Sequence, residues 1–161
     1  MQDPNPCRSA FNQHDHQNCI DSALETAKKL CRQRSSRLTP VRQRVLELIW
    51  QSHHPLGAYQ ILSQLGEEGF NSAPPTVYRA LDFLLEHGLV HRIASLNAFI
   101  GCVSPEQCHH GYFLICRNCG SAQEIKAQNL SGFLHQNAEA AGFKIESETV
   151  ELSGLCPLCQ S

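Results

Sequence analysis

The chain has 161 residues, 42% of them hydrophobic, a formal net charge of −2 and nine cysteines. That length suffices for one domain or two small ones with a real core, and no apolar run approaches the roughly 18 residues of a membrane span. An odd cysteine count excludes a complete set of disulfides within one chain, and the first residues carry no apolar export signal, so the reducing cytosol is the expected home and the thiols read as metal ligands or redox groups.

Residues 1–19 are rich in Asn, Gln and Pro and read as a flexible tail. Ile20, Ala23, Leu24, Ala27, Leu30 and Cys31 then recur at helical spacing. Residues 28–44 hold Lys28, Lys29, Arg32, Arg34, Arg37, Arg42 and Arg44 and no acid, whereas from Val103 onward six acids face three bases. The basic end suits an anion such as nucleic acid, although a solvated helix face would look the same. Thr39-Pro40 reads as an N-cap and first helical residue, followed by the stripe Val41, Val45, Leu48, Ile49. His53-His54-Pro55 and Gly57 end that helix. A short helix with Ile61, Leu62 and Leu65 is closed by Gly66 and Gly69. In NSAPPTVYRALDFLLEHG, Ser72 is the expected cap, Val77, Leu81, Leu84 and Leu85 form the inner stripe, and Gly88 ends the helix. LVHRIASLNAFIGC reads as two short strands joined around Ser95-Leu96-Asn97.

Short helices followed by a hairpin are the pattern of a winged helix-turn-helix, whose last helix enters the major groove of DNA. Arg79 lies almost opposite Leu81 on that helix and points away from the core, as a base-reading residue must. Tyr78 falls at the edge of the stripe, so its ring is expected in the core, with the hydroxyl within reach of a phosphate. Thr76, one turn earlier, and Tyr59, which opens the preceding helix, are further candidate DNA contacts. Lys28, Lys29, Arg37 and Arg42 contact phosphates or are simply solvated.

Beyond a linker around Ser104-Pro105 the pattern changes. YFLIC and AQEIK read as strands, residues 129–141 as a helix carrying Leu130, Phe133, Leu134 and Ala138, and FKIESETVEL as a further strand running into LCPLC. The expected fold class is α+β: an N-terminal winged helix over residues 20–102, a hinge at about 102–108, and a small C-terminal α/β domain over 109–161.

Two Cys-x-x-Cys pairs, Cys116/Cys119 and Cys156/Cys159, have the ligand spacing of a tetrahedral four-cysteine zinc site. Buried thiols or a redox dithiol are the alternatives, but a redox pair belongs at a helix start in a βαβ setting. His91 and Cys102 flank the hairpin, His109 and His110 precede the apolar strand, and Glu124 follows the first pair by five residues. Taken singly, each fits solvated surface or a buried thiol.

RLTPVRQRVL, PPTVYRALDFLLEHGLVHR and the two histidines followed by two Cys-x-x-Cys pairs resemble the ferric uptake regulator family of bacterial metal-sensing repressors, from about residue 20 to the end. The pattern is most similar to the family's zinc uptake regulator branch. The resemblance implies a second, regulatory zinc site at His91, Cys102, His109 and Glu124, with His110 an alternative to His109. A thiolate, two imidazoles and a carboxylate suit Zn²⁺, whereas an iron sensor more often uses nitrogen and oxygen donors alone. His53-His54 resembles a ligand pair of some iron-sensing relatives but is offset. His14-Asp15-His16 with Cys7 and Cys19 is a loose candidate, and His135 is expected to be solvated. The implied protein is a cytoplasmic, zinc-responsive repressor of zinc uptake genes. It would carry two Zn²⁺ per chain and bind operator DNA as a homodimer held through the C-terminal domains, with no membrane or small-molecule substrate. Tyr59 enters as the second base-reading residue on the same resemblance. The rival readings are an iron, manganese or peroxide sensor of the family, a structural zinc-ribbon scaffold, and a zinc or thiol enzyme. The enzyme reading is weakest, because catalytic zinc needs an open coordination position and both proposed sites look full.

Overall fold

The computed structural model describes residues 10–11, 15–70, 73–107 and 109–160. The tail candidates Cys7 and His14 and the expected cap Ser72 lie outside them. Five helices and two three-stranded sheets are present among the described residues: α1 His16–Gln33, α2 Pro40–Trp50, β1 Leu56–Gly57, α3 Ala58–Glu67, α4 Pro74–Glu86, β2 Val90–Ile93, β3 Ala98–Gly101, β4 Gly111–Cys116, β5 Ala122–Ile125, α5 Gln128–Ala140 and β6 Thr149–Gly154. No described helix is long and apolar enough to cross a membrane.

The first helix begins at His16, four residues before its apolar stripe, because the Asp15 side chain caps it by accepting the Gln17 N–H at 2.9 Å. Thr39 accepts the Arg42 N–H, and Pro40 opens α2. Ala73 precedes α4 without a side-chain cap; Pro74 and Pro75 start it, and Gly88 leaves it at φ +68°. α1, α2, α3 and α4 bury Leu30, Leu46, Ile49, Ile61, Leu65, Leu81 and Leu84 in one core. β1, β3 and β2 form an antiparallel sheet against it. The short β1 is not legible in the sequence, being only Leu56 and Gly57 beside a proline. The residues joining β2 to β3 form a 3₁₀ turn, Ala94–Leu96, with Asn97 at φ +46°.

The second sheet runs β5-β4-β6; β5 is antiparallel to β4 and β6 parallel to it, with α5 as the crossover. The expected strand over FKIESETVEL forms only from Thr149. Phe143 is instead captured by the end of α5, its N–H donating to Ala138 O at 2.8 Å after Gly142 turns at φ +69°, and Glu148 turns inward to Tyr112 and Ser131.

The two halves share a second core. Ile93 and Ile100 of the wing pack with Phe113, Ile115 and Ala122 of the second sheet. One rung of that sheet, Glu124–Phe113–Glu151, runs beneath the wing. Further along the seam the Ala122 N–H donates to His53 O at 2.9 Å, and His54 Nε2–H donates to Cys119 O at 2.8 Å.

Candidate metal centres and nucleic-acid interface

Cys116 is the last residue of β4, and Gly120 at φ +77° turns the chain back so that its N–H reaches Cys116 O at 2.9 Å. A left-handed backbone there favours glycine. Parallel pairing of Cys116 with Gly154 delivers Cys156 and Cys159 to the same place. The four sulfurs lie within 4.8 Å of one another. Cys119 Sγ and Cys156 Sγ are 3.8 Å apart, close to the ~3.8 Å edge of a tetrahedron with Zn–S bonds of about 2.3 Å. Backbone N–H groups of Cys119 and Cys156 pull the Cys116 thiol down to about 6, and the Ser121 hydroxyl lowers Cys119. Burial pushes Cys156 up to about 12, so the charge of an ion would be needed to ionise it. This set fits a structural Zn²⁺.

The second group is built from both halves. His91 lies on β2 and Cys102 just past β3; His109 precedes β4 and Glu124 lies on β5. One ligand atom from each falls within 4.8 Å of the other three. His109 Nε2 is 2.5 Å from Glu124 Oε1, 3.2 Å from His91 Nε2 and 3.5 Å from Cys102 Sγ, and His91 Nε2 is 3.0 Å from the same carboxylate oxygen. The other nitrogen of His109, Nδ1, lies 2.7 Å from Gln107 O. A carbonyl only accepts, so Nδ1–H donates to it and Nε2 is the nitrogen turned toward the group. Lone pairs of nitrogen, sulfur and carboxylate converging on one point call for a cation. Burial pushes the Cys102 thiol up to about 12, aided by the charge of Glu124. Burial works to raise Glu124 as well, but His91, His109 and the Val103 N–H outweigh it and hold the carboxyl below its usual range. The donor set and its convergence fit a four-coordinate Zn²⁺.

His110 does not join this group. Its Nε2 lies 3.8 Å from Glu148 Oε2, with His135 Nε2 at 3.4 Å from the same oxygen. His135 is therefore not simply solvated, as its isolation in the sequence implied. Glu148 also accepts the Ser131 hydroxyl at 3.0 Å and the Tyr112 hydroxyl, and its ligand atom lies with those of the two histidines within 4.8 Å. This trio could hold a metal through three donors; the sequence signal was weak because the three residues span 38 positions on a loop, a helix and a strand approach. His53 and His54 belong to no metal-compatible group among the described residues.

The candidate DNA contacts differ in exposure. Arg79 is exposed and makes no hydrogen bond or ion pair among the described residues. Tyr59 is 83% exposed and Tyr78 51%. The expectation of a core role for the Tyr78 ring is thus corrected: Val77 takes the inward position, and Tyr78 stands with Tyr59 and Pro74 around a shallow apolar depression. Thr76 is half-buried, and Lys28 and Arg37 are exposed. Arg42 is less free than a phosphate contact requires, since its guanidinium donates to Arg37 O at 2.7 Å and stacks 3.7 Å from the centre of the Phe83 ring.

A winged helix joined through a mixed-ligand site to a sheet domain that carries a four-cysteine site is the architecture of a metal-sensing DNA-binding regulator. Residues 33–153 match the model of the ferric uptake regulator family, and the chain belongs to that family. It is 39% identical over 137 residues to the zinc uptake regulation protein of Escherichia coli K12, covering 84% of this chain and 80% of that one. Among solved structures, a zinc uptake regulator complexed with zinc and DNA superposes with a TM-score of 0.83 at 39% identity, covering 88% of this chain and 95% of the other. Holo XcZur gives 0.80 at 41% identity, covering 87% and 98%. Apo XcZur, at 40% identity and covering 88% and 98%, gives only 0.50.

Proposed function

We propose that this protein is a zinc-responsive transcriptional repressor that binds operator DNA when two Zn²⁺ ions are loaded per chain and controls zinc uptake genes. The observation that carries this reading is the convergence of His91 and Cys102 from the wing with His109 and Glu124 from the sheet domain. An ion there restrains how residues 20–102 sit on residues 109–161 across the 102–108 hinge. The chain superposes on the zinc-loaded relative with a TM-score of 0.80 and on its zinc-free form with 0.50, which supports a metal-selected posture. The relative held on DNA, at 0.83, supports the same posture as the DNA-binding one. The sulfur site, confined to the sheet domain, serves folding rather than sensing.

A homodimer through the sheet domain presents two such heads to a palindromic operator. It is supported by the outer edge of β6 and by exposed Phe133, Leu152 and Leu158 on that domain. Arg79 reads bases, by guanidinium pairing to guanine O6 and N7; Tyr59, Tyr78 and Thr76 flank it, and Lys28 and Arg37 meet the backbone. The compartment is the cytoplasm. An iron, manganese or peroxide sensor is disfavoured by the Cys102 thiolate.

The test is zinc counting in wild type and Cys102→Ser, with operator affinity measured on both. Two ions falling to one, DNA binding lost and the fold retained is the expected result. Unchanged zinc dependence of DNA binding in Cys102→Ser would overturn the reading.

A further inference from the structure

The rung Glu124–Phe113–Glu151 touches the wing at three points. Paired residues of neighbouring strands project to the same face, and here that face is the one against β2 and β3. At one end Glu124 meets His91 of β2 at 3.0 Å. In the middle Phe113 packs against Ile93 and Ile100, with its ring 5.5 Å from that of His91. A side chain at Gly111 would strike the Phe113 ring at 2.6 Å, so glycine there permits this placement. At the far end the Glu151 carboxylate accepts the Ala94 N–H at 2.7 Å and the Ser95 N–H at 3.3 Å. Those are the first two residues of the wing's 3₁₀ turn, whose N–H groups otherwise lack partners within the turn.

We infer that Glu151 is a positioning residue for DNA binding: a metal-independent clasp that holds the wing tip to β6 in the same posture that the regulatory ion selects. The inference rests on the proposed zinc-responsive function and extends it to a residue that touches neither metal nor, by position, the reading helix. The two contacts grip one small sheet from opposite ends of a single rung. Whatever arrangement satisfies one satisfies the other, so their free energies add in favour of the closed form. Linkage then demands reciprocity: removing the clasp weakens regulatory zinc binding, although Glu151 is no ligand. Charge-assisted hydrogen bonds of this kind are the stronger ones, and their loss in an exposed setting corresponds to roughly tenfold in the equilibrium.

The experiment compares wild type, Glu151→Ala and Glu151→Gln as full chains with the sulfur site loaded. Affinity of the second zinc is measured by chelator competition without DNA, and operator affinity at saturating zinc and in excess chelator. Amide exchange at Ala94 and Ser95 is followed in the same samples. Glu151→Ala is expected to weaken the second zinc about tenfold, to speed exchange at both amides, and to lower operator affinity in excess chelator at least as much as at saturating zinc. Glu151→Gln, which keeps one acceptor oxygen, should recover part of each effect. Unchanged second-zinc affinity in Glu151→Ala, with the melting temperature alone reduced, would overturn the inference and mark the contact as merely structural. Because zinc affinity and amide exchange need no DNA, failure of the wild type to bind an operator would count against the proposed function and leave these two readings to decide the clasp.

Discussion

His109 Nε2 sits 2.5 Å from Glu124 Oε1 while His109 Nδ1 is committed to the Gln107 carbonyl at 2.7 Å. The carbonyl fixes which nitrogen faces the carboxylate, and it does so from the hinge segment itself. His109→Ala should therefore remove the regulatory ion and leave the sulfur site filled. Zinc content is expected to fall from two per chain to one, with operator affinity reduced at least 100-fold, beyond the 10–100-fold typical of outer-shell losses. Elemental analysis and a gel shift on the same sample check it. Because His110 faces Glu148 instead, His110→Ala should keep both ions and zinc-dependent DNA binding.

Arg79 has no partner within the described protein, which leaves its guanidinium available. Arg79→Ala should cost about 1–3 kcal/mol of operator binding and relax preference at one base position. Competition between the operator and single-base variants measures both. Arg42→Ala should instead act mainly on stability through lost stacking on Phe83, by roughly 1 kcal/mol.

Trp50 is the chain's single tryptophan, and its ring lies so close to Gly101 that an added Cβ would meet it at 2.2 Å. Gly101→Ala should destabilise the protein by about 1–3 kcal/mol, as overpacking does, seen in the denaturation midpoint. Gly101 precedes Cys102 directly, so the emission of Trp50 should change when the second zinc binds and stay constant when the sulfur site fills.

The Glu148 carboxyl is held below its usual range, chiefly by the Tyr112 hydroxyl. A depressed folded value adds stability that is fully present above the unfolded value, near 4.5, and is lost as pH falls through the folded one. Glu148→Gln should thus lower stability at neutral pH, and the loss should vanish as the solution becomes acid enough to protonate the folded-state carboxyl. Denaturation of both forms across that range, with zinc in excess, tests the sign.

The helices and the four cysteines were legible because each rests on local periodicity or spacing: Thr39-Pro40, the Val77–Leu84 stripe and the twin Cys-x-x-Cys pairs all act within a few residues. The mixed site was legible only through likeness to a family, since nothing local distinguishes His109 from His110. That choice is made by the Gln107 carbonyl and by which side of β4 each ring reaches. Tyr78 was misplaced because a helical stripe does not say how far the neighbouring helix extends over its edge. The inward turn of Glu148 and the grip of Glu151 on the wing depend on tertiary partners dozens of residues away, and alternation in the sequence suggested only an ordinary strand. The shared core of Ile93, Ile100, Phe113, Ile115 and Ala122 was hidden for the same reason.

The loop after α2 is hydrogen-bonded to the start of β5, through His53 O to the Ala122 N–H, and to the cysteine turn, through His54 to Cys119 O. The stapling centre is thereby not insulated from the reading head. Oxidation or harsh chelation that unravels the sulfur knot would tug directly on the base of the helical bundle. Such damage would silence the regulator by a route that abundant zinc at the sensing position does not repair.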